Sequence, residues 1–327
     1  MESTRNKLIR LLADAKENYI SGQQLSDQLH ISRTAIWKHM KELEKDGYVI
    51  EAKPKTGYRI KQFSENVSAN TLKWGLNTSW MGKEIIHKPI VTSTQHVAHQ
   101  AARENTPHGT VVIADEQSNG RGRMDRVWHS EKGKGIWMSI ILRPELPPYI
   151  APQLTLMTAT AIAEVLDQHD TLKPKIKWPN DILIQNKKVA GILTEMQAEQ
   201  DRIQYVVVGI GLNVNQENTE IPDSIHYKAT SLKMETEKEW PIVELVQQIL
   251  EALEKEYNAF LENGFPSVKT KWENYGFRIG EKISLHSGNK QKNAIFTGIA
   301  EDGALLIEPT KGKTEKIYSA EIDWFVE

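Results

Sequence analysis

Residues 21–45 read SGQQLSDQLHISRTAIWKHMKELEK, and this stretch decides the fold at the N-terminal end of the chain. Ser21 followed by Gln24 has the spacing of a capping box, in which a hydroxyl takes the N–H three residues on and the amide reaches back to the cap. Leu25 and Leu29 then share a helical face, and His30-Ile31 makes a short turn. Ser32 is a good N-cap for the next helix, where Ile36, Met40 and Leu43 recur at helical spacing. That register turns Thr34, Lys38, Lys41 and Lys45 outward, with Arg33 in the first turn and Trp37 on the flank. Upstream, Leu8 and Leu12 fit one face of an earlier helix. Downstream, Gly47 stops the helix, and residues 48–51, the turn Lys53-Pro54-Lys55-Thr56-Gly57 and residues 58–60 read as strand, basic turn, strand.

Helix, helix, short turn, basic helix and a two-stranded wing describe a winged helix-turn-helix domain, set at residues 1–65. Residues 1–61 hold twelve basic against eight acidic side chains. The whole chain carries 41 basic and 43 acidic residues, so any field that attracts nucleic acid is local to this block. DNA is the expected partner, through Arg33, Thr34, Trp37, Lys38, Lys41, Lys53 and Lys55. A helical protein-interaction module with solvated lysines is the alternative.

The 327 residues exceed what one modest core organises, so two or three domains are expected. The absence of cysteine excludes a disulfide framework, a cysteine nucleophile and thiolate metal sites. It suits the cytoplasm. The first residues are polar, and no apolar run approaches the roughly 18 residues that span a bilayer, so no membrane partner is expected.

Residues 66–270 form a second block that mixes strands, at 111–114, 135–142, 189–196 and 203–210, with long helices. Pro152 opens a helix with Leu154, Met157, Ala161, Val165 and Leu166 on one face, and Pro241 opens another with Ile242, Leu245, Ile249, Leu253 and Tyr257 inward and Gly264 past its end. Residues 222–231 read as a polar surface loop. The pattern predicts an α+β domain around a mixed sheet. Residues 271–327 change to short strands between turns at Ser287-Gly288-Asn289, Glu301-Asp302-Gly303 and Lys311-Gly312-Lys313, which predicts a small β-barrel.

Chemistry concentrates in the second block. Gly120-Arg121-Gly122-Arg123 puts two glycines and two arginines in four residues: glycine lets a ligand approach the backbone, and guanidinium forks match carboxylate or phosphate oxygens. Gln117 offers an amide just before this loop, and Trp128 could cover a flat ligand body. Lys177-Trp178-Pro179-Asn180-Asp181 sets a cation, an aromatic ring, a rigid proline, an amide and a carboxylate in sequence. Asn180 can bind a base or a phosphate, and Asp181 can serve as a metal ligand or a weak base. Lys188 precedes Val189-Ala190-Gly191 at a strand start, and Gly209-Ile210-Gly211-Leu212-Asn213 closes another strand with little bulk. Together these describe a site for an anionic small molecule and a nucleotide.

The series Ser93-Thr94-Gln95, Gln117, Gly120-Arg121-Gly122-Arg123, Arg126, Trp128, Lys177-Trp178-Pro179-Asn180-Asp181, residues 188–191 and residues 209–213 resembles that of the biotin–protein ligases in order and spacing. With the winged helix in front, the whole chain is similar to the bifunctional bacterial form that is also the biotin operon repressor. The resemblance implies a class II synthetase-like catalytic domain and a two-step acyl transfer. Biotin and ATP, with Mg²⁺, give biotinyl-5′-adenylate, which then biotinylates a lysine of a carrier domain of biotin-dependent carboxylases. It also implies a homodimer, promoted by the adenylate as corepressor, on operator DNA.

Residue by residue, the resemblance assigns biotin or the adenylate to Ser93, Thr94, Gln95, Gln117, Gly120, Arg121, Gly122, Arg123, Trp128, Lys188 and Gly191. It assigns the nucleotide to Arg126, Lys177, Asn180 and Asn213, and catalysis to Lys188, Arg121, Arg123 and Asp181. It gives no set of metal ligands. Met124-Asp125 departs from the family's usual loop, and Asp125 places a negative charge beside the anion site. A lipoate or octanoate ligase, and a transcription factor whose ligase-like domain only senses biotin, are the competing functions.

Overall fold

The computed structural model describes residues 4–15, 18–62, 67–222, 224–287, 290–309 and 312–324. The expected turns at Ser287-Gly288-Asn289 and Lys311-Gly312-Lys313 fall in part outside these residues, as does the expected boundary at 65/66 and the side chain of Asp125.

Helices α1 (Thr4–Asp14), α2 (Gly22–Leu29) and α3 (Arg33–Lys45) precede a hairpin of β1 (Val49–Lys53) and β2 (Gly57–Gln62). Ser21 Oγ takes the Gln24 N–H at 3.1 Å while Gln24 Oε1 takes the Ser21 N–H at 3.0 Å, which closes the capping box. Ser32 caps α3 through the Ala35 N–H. Leu8, Leu12, Leu25, Leu29, Ile36, Met40 and Leu43 form one core. The wing is stitched back by Ile20 and Tyr58, which exchange backbone hydrogen bonds of 2.9 and 2.8 Å. This approach needs glycine at 57: its φ is +135°, and a Cβ there would lie 2.0 Å from the Ile20 carbonyl oxygen. Arg33, Thr34, Trp37, Lys38 and Lys41 lie exposed on α3, and Lys53 and Lys55 on the wing.

Helix α4 (Ala69–Gly75) leads into β3 (Ile85–Val91), α5 (Thr94–Arg103), β4 (Thr110–Arg121), β5 (Val127–Ser130), β6 (Gly135–Leu142), α6 (Ala151–Asp167), β7 (Lys175–Lys177), β8 (Asp181–Ile184), β9 (Lys187–Glu199) and β10 (Arg202–Asn213). The strands form one sheet in the order β3-β4-β6-β10-β9-β8-β7, with β5 on β4; β3 runs parallel to β4 and the other pairs are antiparallel. Then come α7 (Leu232–Thr236), α8 (Ile242–Asn263) and α9 (Phe265–Tyr275). One sheet face, with Ile113, Met138, Ile140, Val206, Val208 and Ile210, packs on α6 and α8 in the main core. The helical segment Pro148–Asp167, made of α6 and the turn before it, is long and apolar enough to cross a membrane, but it is mostly buried inside the protein. The other face is covered by α5 over Val112, Ile141, Tyr205 and Val207, and past α5 by the ring of Trp128.

The C-terminal unit holds β11 (Lys282–Ser287), β12 (Lys290–Ile299), β13 (Leu305–Pro309), β14 (Glu315–Ile317) and β15 (Glu321–Asp323) in one antiparallel sheet, order β14-β13-β12-β11-β15. Ile283, Phe296, Ile307 and Trp324 continue the main core without a break. The Gly303 carbonyl accepts the Trp178 Nε1–H at 3.1 Å, so this unit holds one end of the Lys177–Asp181 stretch.

In the sheet of β3 to β10, three strands, β4, β9 and β10, run further than expected, and β3, β5, β7 and β8 are not among those expected. Strand β4 runs past Ala114 to Arg121, because Gly120 and Arg121 pair with Trp128 and Val127 of β5. The arginine-glycine stretch is therefore the end of a hairpin, not a free loop. Strands β9 and β10 extend each other through polar residues that no alternation marks, and β3 is polar along its middle.

Candidate active site

The site lies on the α5 side of the sheet, past the end of that helix. In β10, Tyr205, Val207, Gly209 and Gly211 point to this face, and their partners in β9 are Gln197, Glu195, Leu193 and Gly191. The first pairs sit under α5; the last two present glycine. These glycines are required. A Cβ on Gly211 would fall 2.5 Å from the Trp128 ring, one on Gly191 2.9 Å from the same ring, and one on Gly209 2.5 Å from Gln95 Oε1. Trp128 thus lies flat on a glycine floor, brought there by the β4–β5 hairpin. Gly120 lets the hairpin close, since a Cβ there would meet the Trp128 carbonyl oxygen at 2.4 Å. The Trp128 Nε1–H is buried with no hydrogen-bond acceptor among the described residues.

Lys188 stands at the edge of this floor. Its Nζ is 2.6 Å from Asp181 Oδ1 and 5.0 Å from the centre of the Trp128 ring. Asp181 reaches it because β8 pairs with β9 in the register Asp181↔Gly191. Asn180 donates to the Ile192 carbonyl at 2.9 Å and accepts from Arg123 at 3.0 Å, which ties the hairpin tip to the Lys177–Asp181 turn. Loss of solvent lowers the Lys177 pKa below the ordinary lysine value; Asp181 opposes this, and the charges of Lys188, Lys228 and Arg126 add to it. Desolvation likewise lowers Arg123, against the pull of Asp181. Five cations crowd around one carboxylate here, an arrangement that favours an incoming anion.

At the α5 end, Ser93, Thr94 and Gln95 are buried in the first turn of the helix. Gln117 Oε1 accepts from the Thr94 N–H at 2.8 Å, and Gln117 Nε2 donates to Ser130 Oγ at 2.7 Å. Arg121 stands apart from the Lys188 cluster: its guanidinium is 3.7 Å from Glu195, which also contacts His99 at 3.2 Å. The His99 hydrogen bond, helped by Gln95 and Arg121 and opposed by burial, holds the Glu195 carboxyl below its ordinary pKa. Gly122 donates its N–H to the Arg126 carbonyl at 2.7 Å, which shapes the tip. Asn213 points away from the cluster. Its amide donates to the Thr230 carbonyl at 2.9 Å and accepts from Gln216 at 3.1 Å, so it braces the segment beside Lys188. That segment is also bound by Lys188 itself, whose N–H donates to the Lys228 carbonyl at 2.7 Å. No group of three or more His, Cys, Asp or Glu side chains placed to hold a metal occurs among the described residues.

Sequence reading missed Ser130, Ser139, Glu195 and Lys228. None stands in a motif; Ser139 is a lone hydroxyl in an apolar strand, and only that oddity marks it.

Three family models match the chain: the HTH domain at residues 4–59, the biotin/lipoate A/B protein ligase family at 88–213, and the biotin protein ligase C-terminal domain at 279–324. The bifunctional ligase/repressor BirA of Bacillus subtilis is 44% identical over 324 residues, which cover 99% of both chains. The chain belongs to the bifunctional biotin ligase/repressor family. The Escherichia coli member is 30% identical over 92% of this ligase and 91% of its own length. Among solved structures, the biotin protein ligase of Aquifex aeolicus in complex with biotin and ATP superposes with a TM-score of 0.64 at 32% identity, covering 74% of this chain and 98% of that one.

Proposed function

We propose that this chain joins biotin to ATP to make biotinyl-5′-AMP, transfers the biotinyl group to a lysine of a carboxylase carrier domain, and represses biotin synthesis genes when the adenylate is bound. The observation that carries the reading is the position of Lys188, with its ammonium between Asp181 and the Trp128 ring at the edge of the Gly191–Gly211 floor. Two anions must meet there against their repulsion, which calls for positive charge and close backbone approach.

In the first step a biotin carboxylate oxygen attacks the α-phosphorus of ATP, and the bond to the bridging oxygen breaks to release pyrophosphate. Lys188 stabilises the charge on the carboxylate and α-phosphate. Arg121, Gly122 and Arg123 fold over these groups and Trp128 acts as the lid. Ser93, Thr94, Gln95 and Gln117 take the biotin head, with Gly120 and Gly191 allowing close approach. Arg126, Lys177 and Asn180 take the nucleotide, and Asn213 braces the wall beside it. Mg²⁺ enters with ATP as part of that substrate. In the second step the lysine amine of the carrier attacks the biotinyl carbonyl, AMP leaves, and Asp181 orients the amine or takes its proton.

The division of labour follows the chain. Residues 1–65 bind a two-part operator as a homodimer through Arg33, Thr34, Trp37, Lys38, Lys41, Lys53 and Lys55. Residues 66–270 catalyse, and residues 271–327 support the site from behind Trp178. The work is done in the cytoplasm, with no membrane partner. Biotin-dependent exchange of labelled pyrophosphate into ATP tests the enzyme. Exchange with biotin is the expected result; no exchange would overturn the ligase reading, and exchange with lipoate in its place would move the chain to the lipoate ligases. A gel shift of operator DNA that strengthens with biotin and ATP is the expected regulatory result.

A further inference from the structure

Four oxygens stand in a row where α5 meets the site: Gln117 Oε1, Thr94 Oγ1, Ser139 Oγ and Gln95 Oε1, at successive separations of 3.1, 2.9 and 3.0 Å. Both amides are fixed in orientation by their other contacts. Gln117 Oε1 takes the Thr94 N–H at 2.8 Å while its Nε2 faces Ser130 Oγ. Gln95 Nε2 faces the carbonyls of Val207 and Leu193, at 3.2 and 3.4 Å. Neither amide can turn a donor into the row. The only protons left for it are the two hydroxyl protons of Thr94 and Ser139.

Three oxygen–oxygen contacts therefore share two protons. If Thr94 donates to Gln117 and Ser139 to Gln95, the two hydroxyls face each other with lone pairs alone. Any other rotation moves the unmade contact to one end of the row. Ser139 has no exposed surface and Thr94 is 3% exposed, so bulk water cannot repair the row at little cost. A donor brought in by a ligand can: it takes the free lone pair, and the hydroxyls settle into one arrangement.

We propose that Ser139 is a positioning residue that makes this site select a ligand head bearing an N–H donor. It does so by keeping the Gln117–Thr94–Ser139–Gln95 row one proton short. The inference rests on the biotin reading and deepens it. The ureido ring of biotin carries N–H groups, whereas the dithiolane ring of lipoate has none and leaves the row unmatched. Ser139 acts through Thr94, which presents the acceptor. It lies on β6 opposite Gly209, so no side chain on β10 separates it from the site face.

The test compares biotin with its cyclic carbamate analogues, in which one or other ureido N–H is replaced by oxygen, in pyrophosphate exchange by the full-length enzyme. The wild type is expected to show a KM about tenfold higher for at least one of the two analogues than for biotin. In Ser139→Ala and in Ser139→Cys, which keeps the volume but hydrogen-bonds poorly, that ratio is expected to fall to about twofold, with KM for ATP and kcat little changed. A purely structural role would shift both ligands together and leave the ratio alone. An unchanged ratio in either folded variant overturns the proposal, and so does a wild type that accepts both analogues as well as biotin, whether or not the variants fold. A wild type without any biotin-dependent exchange would instead remove the ligase reading itself.

Discussion

The proposed function rests most heavily on Lys188, and its partners set what its loss should do. Its ion pair with Asp181 is partly open to solvent, with 32% and 20% of the two side chains exposed, so the pair contributes at most about 1 kcal/mol to folding. In the proposed reaction the same ammonium faces the place where charge develops on the carboxylate and α-phosphate. Lys188→Ala is therefore expected to leave the melting temperature within a few degrees of wild type. It is also expected to cut the rate of adenylate formation by about two to three orders of magnitude. Single-turnover labelling of a carrier domain at close to the normal rate would show that the lysine has no such role.

His108 makes a second residue-scale prediction, this time about pH. Burial, and then the charge of Arg143, lower its pKa below the ordinary histidine value, and its Nδ1 accepts the Arg143 N–H at 2.9 Å, which requires the neutral ring. The unfolded chain thus binds a proton on this residue at a higher pH than the folded one. The stability due to neutral His108 is fully present above the unfolded value of about 6.5 and is lost as pH falls through the lower folded value. Urea midpoints of wild type and His108→Gln should differ most at pH 7.5 and converge towards pH 5. A constant difference would mean that the ring does not titrate with folding.

At the scale of elements, the parts legible in the sequence were those whose signal is local. The capping box at Ser21 and Gln24, the Ser32 cap, and the inward faces of α3 and α8 depend only on spacing along one helix, and they stand as expected. What was hidden depends on a partner strand. Residues 115–121 carry no alternation of apolar and polar side chains, yet they extend β4 because Trp128 needs a strand to reach Gly211. The site followed the same rule. Lys188, Asp181, Asn180 and Arg123 are found together, as their motifs suggested, while Ser139 and Glu195 are placed only by sheet register. Helix α8 supplies a test at this scale. Glu254, 8% exposed, accepts the backbone N–H groups of Ser79, Trp80 and Met81 at 2.6, 2.8 and 2.8 Å, and so fixes the segment that enters β3. Glu254→Ala orphans three backbone donors, that of Met81 buried and those of Ser79 and Trp80 partly so, and is expected to cost about 2 kcal/mol in chemical denaturation, with Glu254→Gln in between. A loss below about 0.5 kcal/mol would show that the segment finds other acceptors.

For the whole molecule the question is how a ligand site and a DNA-binding face share one chain whose net charge is only −2. Helix α4 belongs to both ends: Trp74 packs in the core of the winged helix and donates to Asp46 at 3.2 Å, while Gln247 of α8 donates to the carbonyls of Thr71 and Leu72 at 3.3 and 3.0 Å. The recognition helix is thus held to the catalytic body by side chains, and its charges face solvent away from the core residues Ile36, Met40 and Leu43. Binding of DNA by such a face releases counterions in proportion to the phosphates it neutralises. Lys38 and Lys41 lie on that face, but Lys41 is 2.5 Å from Glu44 on its own helix, so part of its charge is already balanced. Lys38→Ala is expected to reduce operator affinity more than Lys41→Ala, and the double variant to lower the slope of log K against log [salt] by up to about 2. Both variants should biotinylate a carrier domain at the wild-type rate, because neither side chain approaches the glycine floor of the sheet. Equal salt slopes for wild type and double variant would place the DNA on another surface of the winged helix, and the wing lysines Lys53 and Lys55 would then be the next pair to replace.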